Sequence, residues 1–230
     1  MEKQSFKIVT VGMVHFSEDQ LMFISKNTNL SPSEILKMDS EKRLKIRGTD
    51  KESKIKERIE NAFDEHFWAL QSEYVIVNPH GEDDKDAWNN RIWGVEQVIN
   101  QFYNIVNKYR NQKLFLILNG PSCVGKGPLE SIFFNEFVQN EKLKIEKCTL
   151  TVDENRPPRT GESDDNPYYF RTRAEIEKCC TSEPNRYIPF YVRSVKQMID
   201  LEQVNMKLMN NDIVFLEIYY TAIPILKTLI

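Results

Sequence analysis

No stretch of this 230-residue chain is apolar for long enough to cross a bilayer. The longest strongly apolar run, Leu114 to Leu118, falls far short of the roughly 20 residues a spanning helix needs. The first residues, Met1 to Phe6, are polar, and no targeting segment is visible in them. Neither charge dominates: 31 basic against 34 acidic residues leave a formal charge of -3. That balance argues against nucleic acid or a membrane as the main partner and makes any anion site a local one. Cysteine is scarce, with Cys123, Cys148, Cys179 and Cys180 forming no CxxC pair and no even spacing. A zinc site and a disulfide framework are both disfavoured, and reduced thiols in the cytoplasm are expected. The three histidines, His15, His66 and His80, have no spacing that suggests a metal. There is no repeat and no low-complexity tract.

What is present alternates between strand and helix patterns. Phe6 to Val14 is rich in β-branched residues and reads as a buried strand, followed by a helical run through Ser17 to Ser25 and a loop from Asn27 to Ser33. Ser31-Pro32-Ser33-Glu34 carries the signature of a helix start. Ile55, Ile59, Ala62, Phe63, Phe67 and Leu70 form a helical apolar stripe, Tyr74 to Val77 a short strand, and Gly81 to Asp86 an acidic loop. Val95, Val98, Ile99, Phe102, Ile105 and Val106 mark an amphipathic helix ending near Arg110. Leu114 to Leu118 has the continuous apolar character of a strand buried on both faces. It runs into a glycine turn and a helix from about Gly127 with core aromatics Phe133, Phe134 and Phe137. Beyond lie a strand over Ile145 to Val152, a polar loop to Asn166, helices near Arg173 to Cys180 and Ser194 to Met209, and a strand over Ile213 to Ile218. The alternation predicts an α/β fold with a mostly parallel sheet flanked by helices.

Two clusters carry chemistry. Gly120-Pro121-Ser122-Cys123-Val124-Gly125-Lys126-Gly127 matches G-x-x-x-x-G-K and sits between a strand and a helix. Such a loop wraps backbone N–H groups round phosphates and lets Lys126 reach a transferring phosphoryl group. Gly127 stands where a metal-binding Ser or Thr is usual, followed by Pro128, so a metal would be held by phosphates, water and a carboxylate. Cys123, in this loop beside Lys126, is a candidate for a lowered thiol pKa. The second cluster is Arg156-Pro157-Pro158-Arg159-Thr160-Gly161-Glu162, followed by Tyr168-Tyr169-Phe170. Two guanidiniums on a proline-stiffened loop suit a phosphate monoester, with a tyrosine hydroxyl completing the cage.

Gly-Pro-Ser-x-x-Gly-Lys, then Arg-x-Pro-Arg-x-Gly-Glu, then Tyr-x-Phe six residues past that Glu, resembles the guanylate kinase family, here in a divergent bacterial form. The resemblance implies a P-loop nucleoside monophosphate kinase fold with a small acceptor-binding subdomain and a lid. It implies ATP held by Gly120 to Gly127 with Lys126 catalytic, and an acceptor phosphate held by Arg156, Arg159 and Tyr168. Glu217, in Phe215-Leu216-Glu217-Ile218, falls where the family has an acidic residue near the acceptor base and the Mg2+. Thr151 is the one hydroxyl near the run the family carries before its first arginine. The family continues after the Glu217 strand with a helix, a strand, an arginine-bearing lid and a closing helix, and here those pieces come first. Arg43-Leu44-Lys45-Ile46-Arg47-Gly48-Thr49-Asp50 resembles the lid, Lys56-Glu57-Arg58-Ile59 its following helix, and Tyr74 to Asn78 the last strand. A single circularly permuted domain over 1–230 follows as the expectation. Residues 1–110 supply the family's C-terminal half, with the lid at 40–60, and 113–230 the phosphate loop and acceptor half.

Between Lys42 and Arg58 eight basic residues stand against three acidic ones. Arg43, Arg47 and Arg58 are the expected catalytic arginines, because phosphoryl transfer is driven by positioning and charge neutralisation. Asn78 is a candidate neighbour of the donor nucleoside. The family's Tyr-Gly-Thr element has Tyr191-Val192-Arg193-Ser194 as its nearest counterpart, so phosphoryl transfer is implied more firmly than guanine recognition. The expected reaction is GMP to GDP. A sugar-phosphate kinase of the ribose 1,5-bisphosphokinase kind and an inactive phosphopeptide-binding module are the alternatives.

Overall fold

The computed structural model describes residues 6–137, 139, 142–158, 162–164 and 167–229. It is α/β, as expected. The larger sheet has five strands: β1 (Lys7–Val14), β2 (Tyr74–Val77), β3 (Leu114–Asn119), β4 (Ile145–Lys147) and β10 (Ile213–Glu217), in the order β2-β1-β3-β10-β4. The β1–β2 and β4–β10 pairings are parallel. All six residues of β3 are buried, which is why its sequence shows no alternation. The smaller sheet is built from β5 (Leu150–Asp153), β6 (Ser163–Asp164), β7 (Pro167–Arg171), β8 (Tyr187–Val192) and β9 (Val195–Asp200), in the order β6-β7-β5-β9-β8.

The chain divides into two compact units. One comprises 9–110 with 117–142, and the other 1–8, 111–116 and 143–230. In the first, helices α1 (Glu18–Thr28) and α2 (Pro32–Arg47) both open on capping boxes, Ser17 with Gln20 and Ser31 with Glu34, each satisfying two orphan N–H groups reciprocally. Gly48, at φ 67°, ends α2 in the left-handed conformation. Helix α3 (Glu52–Leu70) turns Ile55, Ala62 and Ala69 to the core, and with them the charged Glu65 and His66. Its last turn lies so close to β1 that a Cβ at Gly12 would stand 2.0 Å from the Ala69 carbonyl oxygen, so only glycine fits there. The acidic loop contains a short helix, α4 (Lys85–Asn89), before α5 (Trp93–Lys108), whose predicted stripe is buried throughout. Helix α6 (Lys126–Ile132) continues in π geometry through Phe133–Phe137, where Phe133 packs edge-on to Phe102 with ring centroids 5.1 Å apart.

The second unit departs from the sequence reading in two places. The strand expected over Ile145 to Val152 is two strands in different sheets. At Cys148 the N–H still donates to Phe215 O in the larger sheet (2.8 Å), whereas the Thr149 N–H turns to the Gln203 side chain (3.0 Å). A change of sheet leaves no mark in an apolar pattern. The helix expected from Ser194 to Met209 is β9 followed by α8 (Leu201–Asn210), because Asp200 accepts from Glu202 N and Gln203 N and caps the helix there. Val195, Met198 and Ile199 fit helical spacing as well as strand spacing, and the pairing with β8 decides between them. Helix α7 (Arg173–Ser182), with its Thr172–Glu175 capping box, and α9 (Ile223–Leu229) complete the unit. No helix among the described residues is long and apolar enough to cross a membrane.

Candidate active site

Within the first unit, β3 delivers the chain into the glycine loop under tight constraint. A Cβ at Gly120 (φ 149°) would meet Met13 O at 2.3 Å, and one at Gly125 (φ 94°) would meet Asn78 and Trp88 at 2.6 Å. Cys123 holds φ 64°, a conformation that costs a residue with a Cβ about 1–2 kcal/mol. Its side chain is held by burial in a cluster with Leu44 and Ile55. Burial also pushes its thiol up to about 11, with the Arg47 guanidinium only partly offsetting it. The lowered thiol expected from its loop position is therefore overturned, because desolvation of the thiolate outweighs the nearby cations. Lys126 is nearly buried and folds back over the loop, its Nζ donating to Gly120 O (2.9 Å) and Pro121 O (2.8 Å).

Ser122 is gripped at three atoms. Its N–H donates to Glu65 Oε2 (3.0 Å), its hydroxyl oxygen accepts from Arg58 (2.7 Å), and its carbonyl lies 3.5 Å from His15 Nε2. His15 is buried, and desolvation, aided by Arg43, holds it well below its usual pKa. His66, one residue past Glu65, is likewise held at about 4 by burial. Both imidazoles are thus neutral packing groups at physiological pH. Neither Glu65 nor His15 stands out in the sequence as a partner of the loop. The one signal there is a carboxylate inside the apolar stripe of α3, three residues past Ala62.

The three arginines expected to be catalytic lie in the same unit. Arg58 bonds Ser122 directly and pairs with Asp50 (3.3 Å). Arg47 bonds Glu82 (3.1 Å) and Asp50. Arg43 bonds Asp39 (2.8 Å) and Pro79 O (2.9 Å), with Asp83 at 3.5 Å. The segment carrying Glu82 and Asp83 is pinned to the loop by the bond from Glu82 N to Cys123 O (2.9 Å). Opposite charges in this half-buried setting hold three guanidiniums beside the glycine loop. Asn78, the expected neighbour of the donor nucleoside, lies against the glycine loop. Fully buried, it donates from Nδ2 to Val124 O (2.7 Å) and His80 O (2.6 Å), so it brackets the loop through its backbone. Asn78→Ala would leave the Val124 carbonyl buried without that donor. A loss of about 1–3 kcal/mol in urea unfolding is expected, and a stability unchanged within error would show that the bracket is dispensable.

The acceptor candidates lie in the second unit. Strand register puts Leu150 opposite Tyr168 and Val152 opposite Phe170 and Gln197, on one face of the smaller sheet. On that face the Arg156 guanidinium lies over the Tyr168 ring (5.0 Å) and the Phe170 ring (5.7 Å), and is clamped by both oxygens of Glu162 at 2.8 Å. The Tyr168 phenol is raised above its usual pKa by burial and then by the charge of Glu217, which stands at the end of β10. Thr151 is opposite Tyr169 and Met198, on the other face, where α7 packs and where a cavity of about 460 Å³ also takes in Arg171 and Cys179. The register therefore separates Thr151 from Tyr168, and the alternation of β5 decides it. Arg159 falls outside the described residues. A residue that the sequence expectations leave out, the fully buried Asp153, organises the arginine loop: Oδ1 accepts from Asn155 N (3.0 Å) and Oδ2 from Arg173 (2.9 Å). Asp-x-Asn is an Asx-turn pattern and is legible as such. Tyr191-Val192-Arg193-Ser194 forms the tip of the β8–β9 hairpin, with Arg193 over the Tyr219 ring at 5.4 Å.

No protein-family model matches this chain. Among curated proteins it is similar to the guanylate kinase of Mycoplasma mobile, 32% identical over 37% of this chain and 41% of that protein. The guanylate kinase of the aster yellows witches'-broom phytoplasma is 32% identical over 40% and 43%. That of Lactococcus lactis is 38% identical over 30% of each. The chain spans about two fifths of the length of the first two of these relatives.

Proposed function

We propose that this guanylate-kinase-like chain is an ATP-dependent nucleoside monophosphate kinase whose family segments are circularly permuted. The observation that carries the reading is the bond from Arg58 to the Ser122 hydroxyl at 2.7 Å. An arginine from the lid-like front segment reaches a phosphate loop that begins 62 positions later in the chain. Arg47 and Arg43 stand behind it on carboxylates of the segment bonded to the same loop. The sheet order also supports permutation, since β1 and β2, from the front of the chain, lie on one side of β3, with β10 and β4 on the other. The partial matches fit as well: an unpermuted relative can be aligned with a permuted chain over only one part at a time.

In this reading Gly120 to Gly127 hold the donor phosphates, and Lys126 leaves the Gly120 and Pro121 carbonyls to follow the transferring phosphoryl group. Arg43, Arg47 and Arg58 exchange carboxylate partners for phosphate oxygens as negative charge builds on the group in flight. In the second unit Arg156, with Arg159, receives the acceptor phosphate, which replaces Glu162 on the guanidinium; Tyr168 and Glu217 complete that pocket. In this reading the acceptor's phosphate oxygen attacks the γ-phosphorus as its bond to the bridging oxygen breaks and ADP leaves, with no covalent enzyme intermediate. Among the described residues no group of three or more His, Cys, Asp or Glu could hold a metal alone. A Mg2+ ion carried on the nucleotide phosphates would supply charge neutralisation for the transfer. GMP is the acceptor the relatives suggest. The arginine at the β8–β9 tip, where the family has Tyr-Gly-Thr, favours a second reading in which the acceptor is a sugar phosphate.

A coupled assay of ADP release with ATP, Mg2+ and each nucleoside monophosphate tests the proposal. Turnover with GMP above the other acceptors is expected, and turnover with a ribose bisphosphate alone would select the second reading. ATP binding without turnover on any acceptor would reject both and leave a binding module.

A further inference from the structure

We infer that Glu82 is the protein's own ligand for the nucleotide-bound divalent cation, in place of the hydroxyl that the phosphate loop lacks at Gly127. The inference rests on the donor-site reading above. Gly127 has no side chain to offer a metal, and Pro128 offers no hydroxyl. Built outward from Gly127, a Cβ would have one neighbour within 4 Å, Glu82 Oε1 at 3.6 Å. A serine hydroxyl there and this carboxylate oxygen would therefore lie in the same small region.

Glu82 is fixed in that position from two sides. Its N–H donates to Cys123 O (2.9 Å), and Gly81 before it comes so near that a Cβ would stand 2.3 Å from the same carbonyl. Its other oxygen, Oε2, accepts from Arg47 (3.1 Å), which orients the carboxylate and leaves Oε1 turned toward the first turn of α6. A hard cation carried on nucleotide phosphates commonly takes one or two protein carboxylates and keeps several waters. A single well-placed oxygen is enough. No metal-binding motif marks Glu82 in the sequence, where it is one acid among several between Gly81 and Asp86. Its position follows only from the bond between two loops about 40 residues apart in the chain.

The test is calorimetric binding of ATP to the full chain, in EDTA and in excess Mg2+. For the wild type, Mg2+ is expected to tighten ATP binding at least about tenfold. Glu82→Gln, which keeps an acceptor for Arg47, should bring that ratio to within about twofold of unity while metal-free ATP binds as well as before or better. Adding Gly127→Ser to Glu82→Gln should restore most of the ratio; a Cβ 3.6 Å from its neighbour is in ordinary contact, so the serine fits. A wild-type ratio retained in Glu82→Gln would overturn the inference alone. So would a double variant that recovers nothing, which would trace the effect to Arg47. Absence of ATP binding by the wild type in either condition would instead overturn the donor-site reading, and this inference with it.

Discussion

Lys126→Ala is expected to lower kcat by ~10³ or more while leaving the chain folded. The ammonium now bonds two carbonyls of its own loop, Gly120 O and Pro121 O, and has little solvent around it. In that setting one preorganised positive group facing developing charge contributes on the order of 10²–10³ in rate, and a lysine that follows the transferring group contributes at the upper end. The cost to the fold should be small by comparison, about 1 kcal/mol for the lost loop bonds. Single-turnover phosphoryl transfer and a thermal unfolding curve, measured on the same preparation, separate the two effects. A kcat within tenfold of wild type would remove Lys126 from the chemistry. Lys126→Arg should rescue little, because a planar fork cannot take the place of a compact ammonium between two carbonyls.

Arg47→Ala should be the next largest loss, on the order of 10²–10³ in kcat/KM. Its guanidinium joins Asp50, from the turn after α2, to Glu82 on the segment bonded to the glycine loop. Removing it takes away a cation for the reacting phosphates, deprives the partly buried Glu82 of its arginine and leaves Asp50 to Arg58 alone, so ATP affinity should fall along with kcat. Lysine at this position should recover a minor part, since it cannot serve both carboxylates with a rigid fork. If Arg47→Ala turned over at the wild-type rate, the basic front segment would be a solvated face and the assignment of a lid to 40–60 would fail.

Much of the larger sheet's centre and of the first unit is legible in its residues alone. The continuous apolar run Leu114 to Leu118, the glycine turn and the following helix can hardly be read otherwise, and Ser31-Pro32-Ser33-Glu34 opens α2 as its capping chemistry requires. The smaller sheet is not legible in the same way. Its strands carry mixed burial, and the chain enters it by leaving another sheet at Cys148, a decision made by the Gln203 side chain more than 50 residues away. The cluster around the loop is half legible. Arg43, Arg47 and Arg58 stand out by charge and Glu65 by its place inside an apolar stripe, but Asp50, Glu82 and Asp83 look like any surface acids in the sequence, and only their contacts around the loop set them apart. Thr151 lies on the face away from Tyr168 for a simpler reason. A hydroxyl close in sequence to an arginine loop can point either way, and one position of strand alternation sends it to the opposite face.

The grip on Ser122 also has a consequence for how the protein is made. His15, Arg58 and Glu65, together with Asn78 and Glu82, are all translated before the loop they hold. These contacts can therefore close only once residues 120–127 have been made, so the first unit is completed by chain that follows its own helices α1 to α5.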